Sequence, residues 1–220
     1  VTDTPRRFLP SDEQRAFWRS QAITVASRDL ARIPARFASA TIDHPDVDVW
    51  VTTVMGTAVS AASDWREPVI VEGPSLLLVG ATGTGKTHLA YAAVRALLTS
   101  GIRCSAVVTT AADLYAAMRP RFGIDSEEEF ARHAHVPVLA LDDLGAAKPS
   151  EWNEEVNYRL VNYRYERKLP TFITSNVPPK ELARVLGDRV ASRLVEMAGA
   201  PVVLKGSDRR TTAAAEQAAR

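Results

Sequence analysis

Cysteine is almost missing from this 220-residue sequence, with Cys104 the only one. A single thiol excludes a disulfide framework and a cysteine-based zinc site. The histidines, His44, His88, His133 and His135, form no metal-like pair with a second cluster. Glycine (11) and proline (13) are few and follow no fixed period, which excludes collagen-like and low-complexity chains. No apolar run is long enough for a membrane span: residues 49–63 carry no charge but are interrupted by Thr, Ser and Gly. The opening stretch VTDTPRRFLPSDEQRAF has no apolar signal core. A reduced, cytoplasmic protein is expected. A strong charge of either sign is lacking as well, since 27 Lys and Arg face 26 Asp and Glu for a net +1. The surface as a whole therefore does not attract nucleic acid. Any DNA affinity must come from a local patch, or from a ring of subunits that adds patches together. Arginine far outnumbers lysine, which a GC-rich coding genome explains as readily as phosphate recognition does.

What is present is the material of a globular core. Hydrophobic residues make up 46% and charged residues 24%. At about 150 residues per domain, the length suits one sizeable domain with a short appendage. Ser11 and Gln14 have capping-box spacing, so a helix is expected to about Ser27. Residues 32–45 read as an extended connector, because Pro34 and Pro45 disfavour helix before them. Asp46 is expected to cap a helix that buries Val47, Trp50, Val51, Val54 and Ala58. Short apolar strands then alternate with amphipathic helices. Strands are expected at 75–80, 102–110, 137–145, 171–176 and 201–206. Helices are expected from Thr87 with Gly101 as the stop, through Leu114 and Met118, at 126–134, at 153–167, at 178–186 and at 188–197. Alternation of this kind implies an α/β fold with a parallel sheet covered by helices on both faces. The organisation is read as a helical segment over 1–30, a core over 31–206 and a frayed tail over 207–220.

One motif decides the class. Gly80, Ala81, Thr82, Gly83, Thr84, Gly85, Lys86 and Thr87 fit G-x-x-x-x-G-K-[ST]. Glycines let the backbone close on phosphates, Lys86 supplies a point charge, and the Thr87 hydroxyl ligates Mg²⁺. His88, the next residue, joins them as a nucleotide contact. A buried strand before the loop and a helix after it supply the required context. Asp142 and Asp143 end a later apolar strand, the first placed to hold the Mg²⁺ shell and the second to polarise an attacking water. The second acid is the shorter Asp, so slow ATP hydrolysis is expected. The strand at 102–109 is read as inserted between these two elements, the mark of ATPases with a catalytic acid. Asn176, closing TFITSN, is placed to hold the water near the γ-phosphate, and it also suits a turn before Pro178.

With IPARF (33–37), SLLLVGATGTGKTHLA (75–90), VLALDDLG (138–145), NYRYERKLPTFITSN (162–176) and DRVASRL (188–194), the sequence resembles the AAA+ ATPases, and within them the DnaC/IstB-like group of helicase loaders and transposition helpers. The resemblance covers about residues 30–206. It implies a three-layer P-loop NTPase core, ATP and Mg²⁺, homo-oligomers in a ring or spiral, and an arginine supplied across the subunit boundary. SRL assigns that role to Arg193, with Arg189 a second interface arginine. An exposed amphipathic helix buried through Val190, Leu194 and Met197 explains the same spacing. Wider AAA+ proteins carry a helical lid after the core; only residues 207–220 follow, so a lidless form is expected. In place of the loaders' N-terminal partner domain, a short helix is expected, on which Phe17 and Trp18 either dock a partner or pack back on the core.

Arg119, Arg121 and Phe122 occupy the place where this group inserts its DNA-contacting element, and they combine charge with a stacking surface. Glu127–Glu129 argue against a continuous basic groove there, and an ordinary solvated helix start with acids in its first turn explains the segment equally well. The leading expectation is a replicative-helicase loader acting on single-stranded DNA with a ring helicase as partner. The alternative is a transposition helper that binds duplex DNA and a transposase. A third is a module that uses ATP only to set its conformation.

Overall fold

The computed structural model describes residues 11–61, 69–120, 122 and 125–206. The readings of 1–10 and 207–220 lie outside the described residues. Ser11 caps the first helix, α1 (Asp12–Leu30), with the reciprocal Gln14 bond of a capping box. The connector is extended only in part, since Ala35–Phe37 form a 3₁₀ turn after Pro34. The next helix, α2 (Pro45–Ala61), starts one residue earlier than Asp46 can cap it. Proline suits a first helical position because the N–H it lacks has no partner there. Val47, Trp50, Val51, Val54 and Ala58 are all buried, as the spacing requires.

The remaining elements alternate: β1 (Leu76–Gly80), α3 (Lys86–Thr99), β2 (Ala106–Thr110), α4 (Ala111–Met118), α5 (Ser126–Ala134), β3 (Val138–Asp142), α6 (Glu151–Glu166), β4 (Thr171–Ser175), α7 (Leu182–Leu186), α8 (Asp188–Ala198) and β5 (Val202–Leu204). All strand pairs are parallel, in the order β2-β3-β4-β1-β5. Side-chain alternation then sorts the helices into layers. Leu76 and Leu78 face a cluster with α1, α2 and α3, whereas Leu77 and Val79 face one with α4, α6, α7 and α8. The three-layer α/β expectation holds.

Two readings of the sheet also need correction. The strand at 102–110 is short, beginning at Ala106; Arg103 makes only an isolated bridge to Val69. That strand is also not the one inserted between the phosphate loop and the acids. It lies at the sheet edge, half-buried over most of its length, and β4 is the strand between β1 and β3. Consequently the C-terminal ends of β1, β4 and β3 lie side by side, where α/β sheets place their ligand crevice. No helical bundle follows β5 among the described residues, and none of the described helices is long and apolar enough to cross a membrane.

Candidate nucleotide site

The loop after β1 turns through Gly83 and Gly85, at φ 83° and 97°, into the N-terminus of α3. Side chains with a Cβ rarely adopt this conformation, so glycine is required at both positions. The Thr84 hydroxyl folds inward onto the Ala81 carbonyl at 2.9 Å. Lys86, only 5% exposed, lies back along the loop. Its Nζ donates to the carbonyls of Gly80 and Ala81, each at 2.9 Å, and to Asn176 Oδ1 at 2.6 Å. Thr82, Thr87 and His88 join Gly83, Gly85 and Lys86 around a cleft of about 420 Å³, closed by Arg36, Phe37, Asp143 and Asn176. Phe37 stacks on Tyr91 with centroids 4.4 Å apart and meets His88 edge-on at 6.5 Å.

The acids of β3 reach the same cleft. Thr87 Oγ1 donates to Asp142 Oδ2 at 2.9 Å. Thr174 of β4, fully buried, donates to Asp142 Oδ1 at 2.6 Å and accepts the Asp143 N–H at 2.9 Å. Burial pushes the Asp142 carboxyl above its ordinary range and the neighbouring Asp143 adds to this; the Thr174 and Thr87 bonds and the Lys86 charge pull it back. Asp143 stands at φ 54°, an uncommon conformation for a residue with a side chain. Asn176 Nδ2 donates to its Oδ1 at 3.0 Å. One amide thus touches both the loop lysine and the second acid. A hydroxyl and a carboxylate as close as Thr87 and Asp142 form a hard oxygen pair that fits Mg²⁺, which completes its shell with water and phosphate. No cluster of three or more His, Cys, Asp or Glu able to hold a metal occurs among the described residues.

A family model described as "IstB-like ATP binding protein" matches residues 68–197. The chain belongs to this family. The replicative helicase loader DnaC of Escherichia coli (strain K12) is 31% identical over 140 residues, 62% of this chain and 56% of that protein. A putative insertion sequence ATP-binding protein of Sinorhizobium fredii is 33% identical over 132 residues, 60% of this chain and 42% of that protein. The chain spans about half the length of the curated relatives it matches. A crystal structure of the DnaC helicase loader matches with a TM-score of 0.61 at 29% identity, covering 78% of this chain and 99% of that one. DnaI shares the fold, with a TM-score of 0.57 at 24% identity, 83% of this chain and 93% of that one. The IstB-like chain thus carries the AAA+ P-loop core, with no helical lid after β5 among the described residues.

Other residues singled out in the sequence lie elsewhere on this IstB-like core. Arg193 and Arg189 sit on α8, and neither lines the cleft of its own chain. Val190 and Leu194 bury the opposite side of that helix, with Met197 half-buried. Arg193 Nε donates to Asn162 Oδ1 of α6 at 2.6 Å, and the Arg189 guanidinium stands 5.8 Å from the Tyr158 ring. Arg119 ends α4 with its guanidinium 5.7 Å from the Trp152 ring. Phe122 is fully exposed, and Arg121 lies outside the described residues. On α1, Phe17 is exposed and Trp18 half-buried, while Ala22 and Ala26 are the buried contacts of a helix that packs on α3. Sequence reasoning missed Thr174, although a threonine inside an apolar strand two residues before Asn176 is a visible signal. It also named the 33–37 connector without singling out Phe37, whose partner Tyr91 only the fold brings near.

Proposed function

We propose that this chain is a Mg²⁺-dependent ATPase that acts in DNA replication as a helicase loader, delivering a ring helicase to single-stranded DNA in the cytoplasm. The observation that carries the ATPase reading is the unbroken chain of hydrogen bonds from Lys86 through Asn176 to Asp143. It couples the group that meets the phosphates to the acid that faces the cleft. On ATP binding, backbone N–H groups of residues 82–87 receive the phosphates, and Lys86 exchanges loop carbonyls for phosphate oxygens. Thr87 and Asp142 would hold Mg²⁺, whose charge would neutralise that of the phosphates. Asp143 polarises the attacking water and Asn176 orients it. Arg193 of a neighbouring copy meets the developing charge, with Arg189 beside it. In comparable NTPases such an arginine contributes about 10³-fold or more in rate. Arg193→Ala should therefore keep ATP binding and lose assembly-dependent turnover, and unchanged turnover in the purified variant rejects the role. The short Asp143 side chain makes intrinsic hydrolysis slow.

The loader reading is supported by the match to almost all of the DnaC crystal structure at 29% identity. A second reading, a transposition helper that binds duplex DNA and a transposase, is favoured by the family description and by the insertion-sequence relative. The deciding experiment is fluorescence anisotropy of labelled single-stranded and duplex DNA of equal length, titrated with the protein and ATP at one fixed salt concentration. An ATP-dependent preference for the single strand supports the loader. Preference for duplex, or ATP-driven filaments on it, overturns the loader in favour of the transposition helper. Binding to neither removes both DNA roles and leaves a switch that depends on its protein partner.

A further inference from the structure

Arg193 is gripped at one nitrogen and free at its tips. Nε donates to Asn162 Oδ1 at 2.6 Å, while the guanidinium carbon stands 5.5 Å from the Tyr158 ring and 5.2 Å from the Tyr165 ring. Among the described residues no group accepts a hydrogen bond from Nη1 or Nη2. Tyr165 is itself fixed, its hydroxyl donating to Glu196 Oε2 of α8 at 2.5 Å.

The Asn162 amide has only one orientation open to it. Its Nδ2 donates to Glu166 Oε1 at 2.9 Å, one turn further along α6. A carboxylate only accepts and an arginine Nε only donates, so the amide oxygen must face Arg193. A loose arginine side chain samples many rotamers. Held by Nε and flanked by two aromatic rings, this one keeps both Nη groups together as the fork that matches phosphate oxygens.

We propose that Asn162 is a positioning residue for a reaction in trans: it aims the Nη fork of Arg193 at the phosphates bound by a second copy of this chain. The inference rests on the reading of Arg193 as an arginine donated across the subunit boundary. A misplacement of about 1 Å in such a group costs up to roughly 10²-fold in rate. The network therefore affects turnover in the neighbour while leaving the nucleotide affinity of its own subunit intact.

Mixed assemblies of the full chain test this. A donor subunit carries Asp143→Asn, which disables its own cleft; an acceptor subunit carries Arg193→Ala, which removes its own arginine. Each alone should be nearly inactive, and mixing should restore turnover wherever the donor's Arg193 meets an intact cleft. Asn162→Leu added to the donor should lower the restored rate about tenfold. Added to the acceptor it should have a much smaller effect, and binding of a non-hydrolysable ATP analogue should be unchanged in both. Asn162→Asp combined with Glu166→Gln exchanges donor and acceptor between those two positions and keeps an acceptor for Arg193; in the donor it should recover most of the rate. Equal losses on both sides, or no loss in the donor, overturn the positioning role while the restored turnover upholds Arg193. If mixing restores nothing, or Arg193→Ala alone stays active, the arginine reading falls and this proposal falls with it.

Discussion

One buried cation is held with no carboxylate among its hydrogen-bond partners. Arg164 is 1% exposed, and its guanidinium is satisfied almost wholly by backbone oxygen. Nε donates to Thr171 Oγ1 at 2.8 Å; Nη1 reaches the carbonyls of His133, Ala134 and Val136 at 3.3, 3.1 and 2.8 Å; Nη2 reaches those of Pro137 and Pro170 at 3.2 and 2.9 Å. Burial pulls its pKa down to about 9, which still leaves it charged at neutral pH. The side chain thereby ties the end of α5, the approach to β3, the approach to β4 and the end of α6 to one point. Arg164→Met would strand this set of acceptors, and should cost about 3 kcal/mol or more of stability, read as a lower urea midpoint. Arg164→Lys should recover less than half of the loss, because an ammonium has three donors and no planar fork. A variant within 0.5 kcal/mol of the parent, on the order of a surface substitution, would mean that water replaces the bonds. Spacing did carry a hint of this role. Val156, Leu160 and Val161 mark the buried face of α6, and Arg164 continues it. Local motifs made Lys86, Thr87, Asp142 and Asp143 legible, whereas the bond between Asn162 and Arg193 spans 31 positions and needs the fold.

At the scale of elements, the order of strands and helices along the chain was legible because the strands are short and apolar, the helices are marked by apolar spacing, and glycine, proline or polar residues separate them. Their order in the sheet was not. Which strand becomes central is decided by long-range packing, although the two threonines at the end of β2 already suit a half-exposed edge better than a core. The same holds for α8, whose apolar spacing was readable but whose aim was not. That aim depends on Gly187, the single residue between α7 and α8, at φ 86° and ψ 148°. This conformation is nearly closed to any residue but glycine, and forcing another residue into it costs about 1–3 kcal/mol. A Cβ there would also run into Glu154 Oε1, a contact the flexible carboxylate can leave. Gly187→Ala should therefore lower the melting temperature and swing α8, with Arg189 and Arg193, away from its seat on α6. Expected is a loss of assembly-dependent turnover larger than any loss of nucleotide affinity. Equal losses of both would mean that the turn stabilises the fold without aiming the helix.

Over the whole molecule, near-neutral charge limits how DNA can be held. A net charge of +1 supplies no general attraction. The acidic run at 127–129 beside the proposed DNA loop is less opposed to a polyanion than the sequence suggests: Arg159 pairs with Glu127 through contacts of 2.8–3.1 Å, and Arg132 approaches Glu129 at 3.8 Å. Arg119 is left with an aromatic neighbour, Trp152, and no acid as an ion-pair partner among the described residues. If Arg119 and Arg121 each neutralise one phosphate of a single strand, the slope of log K against log salt is roughly −1.4 per subunit, at about −0.7 per phosphate. So small a term gives weak binding unless several subunits engage one strand together. The expected result of anisotropy titrations from about 50 to 300 mM salt, a range over which such slopes are readily resolved, is therefore a steeper slope with ATP than without. Arg119→Ala should flatten the ATP-dependent slope by about 0.7 per engaged subunit. A slope that ATP leaves unchanged would mean that single subunits bind DNA unaided. A slope that Arg119→Ala leaves unchanged would move the contact away from the end of α4.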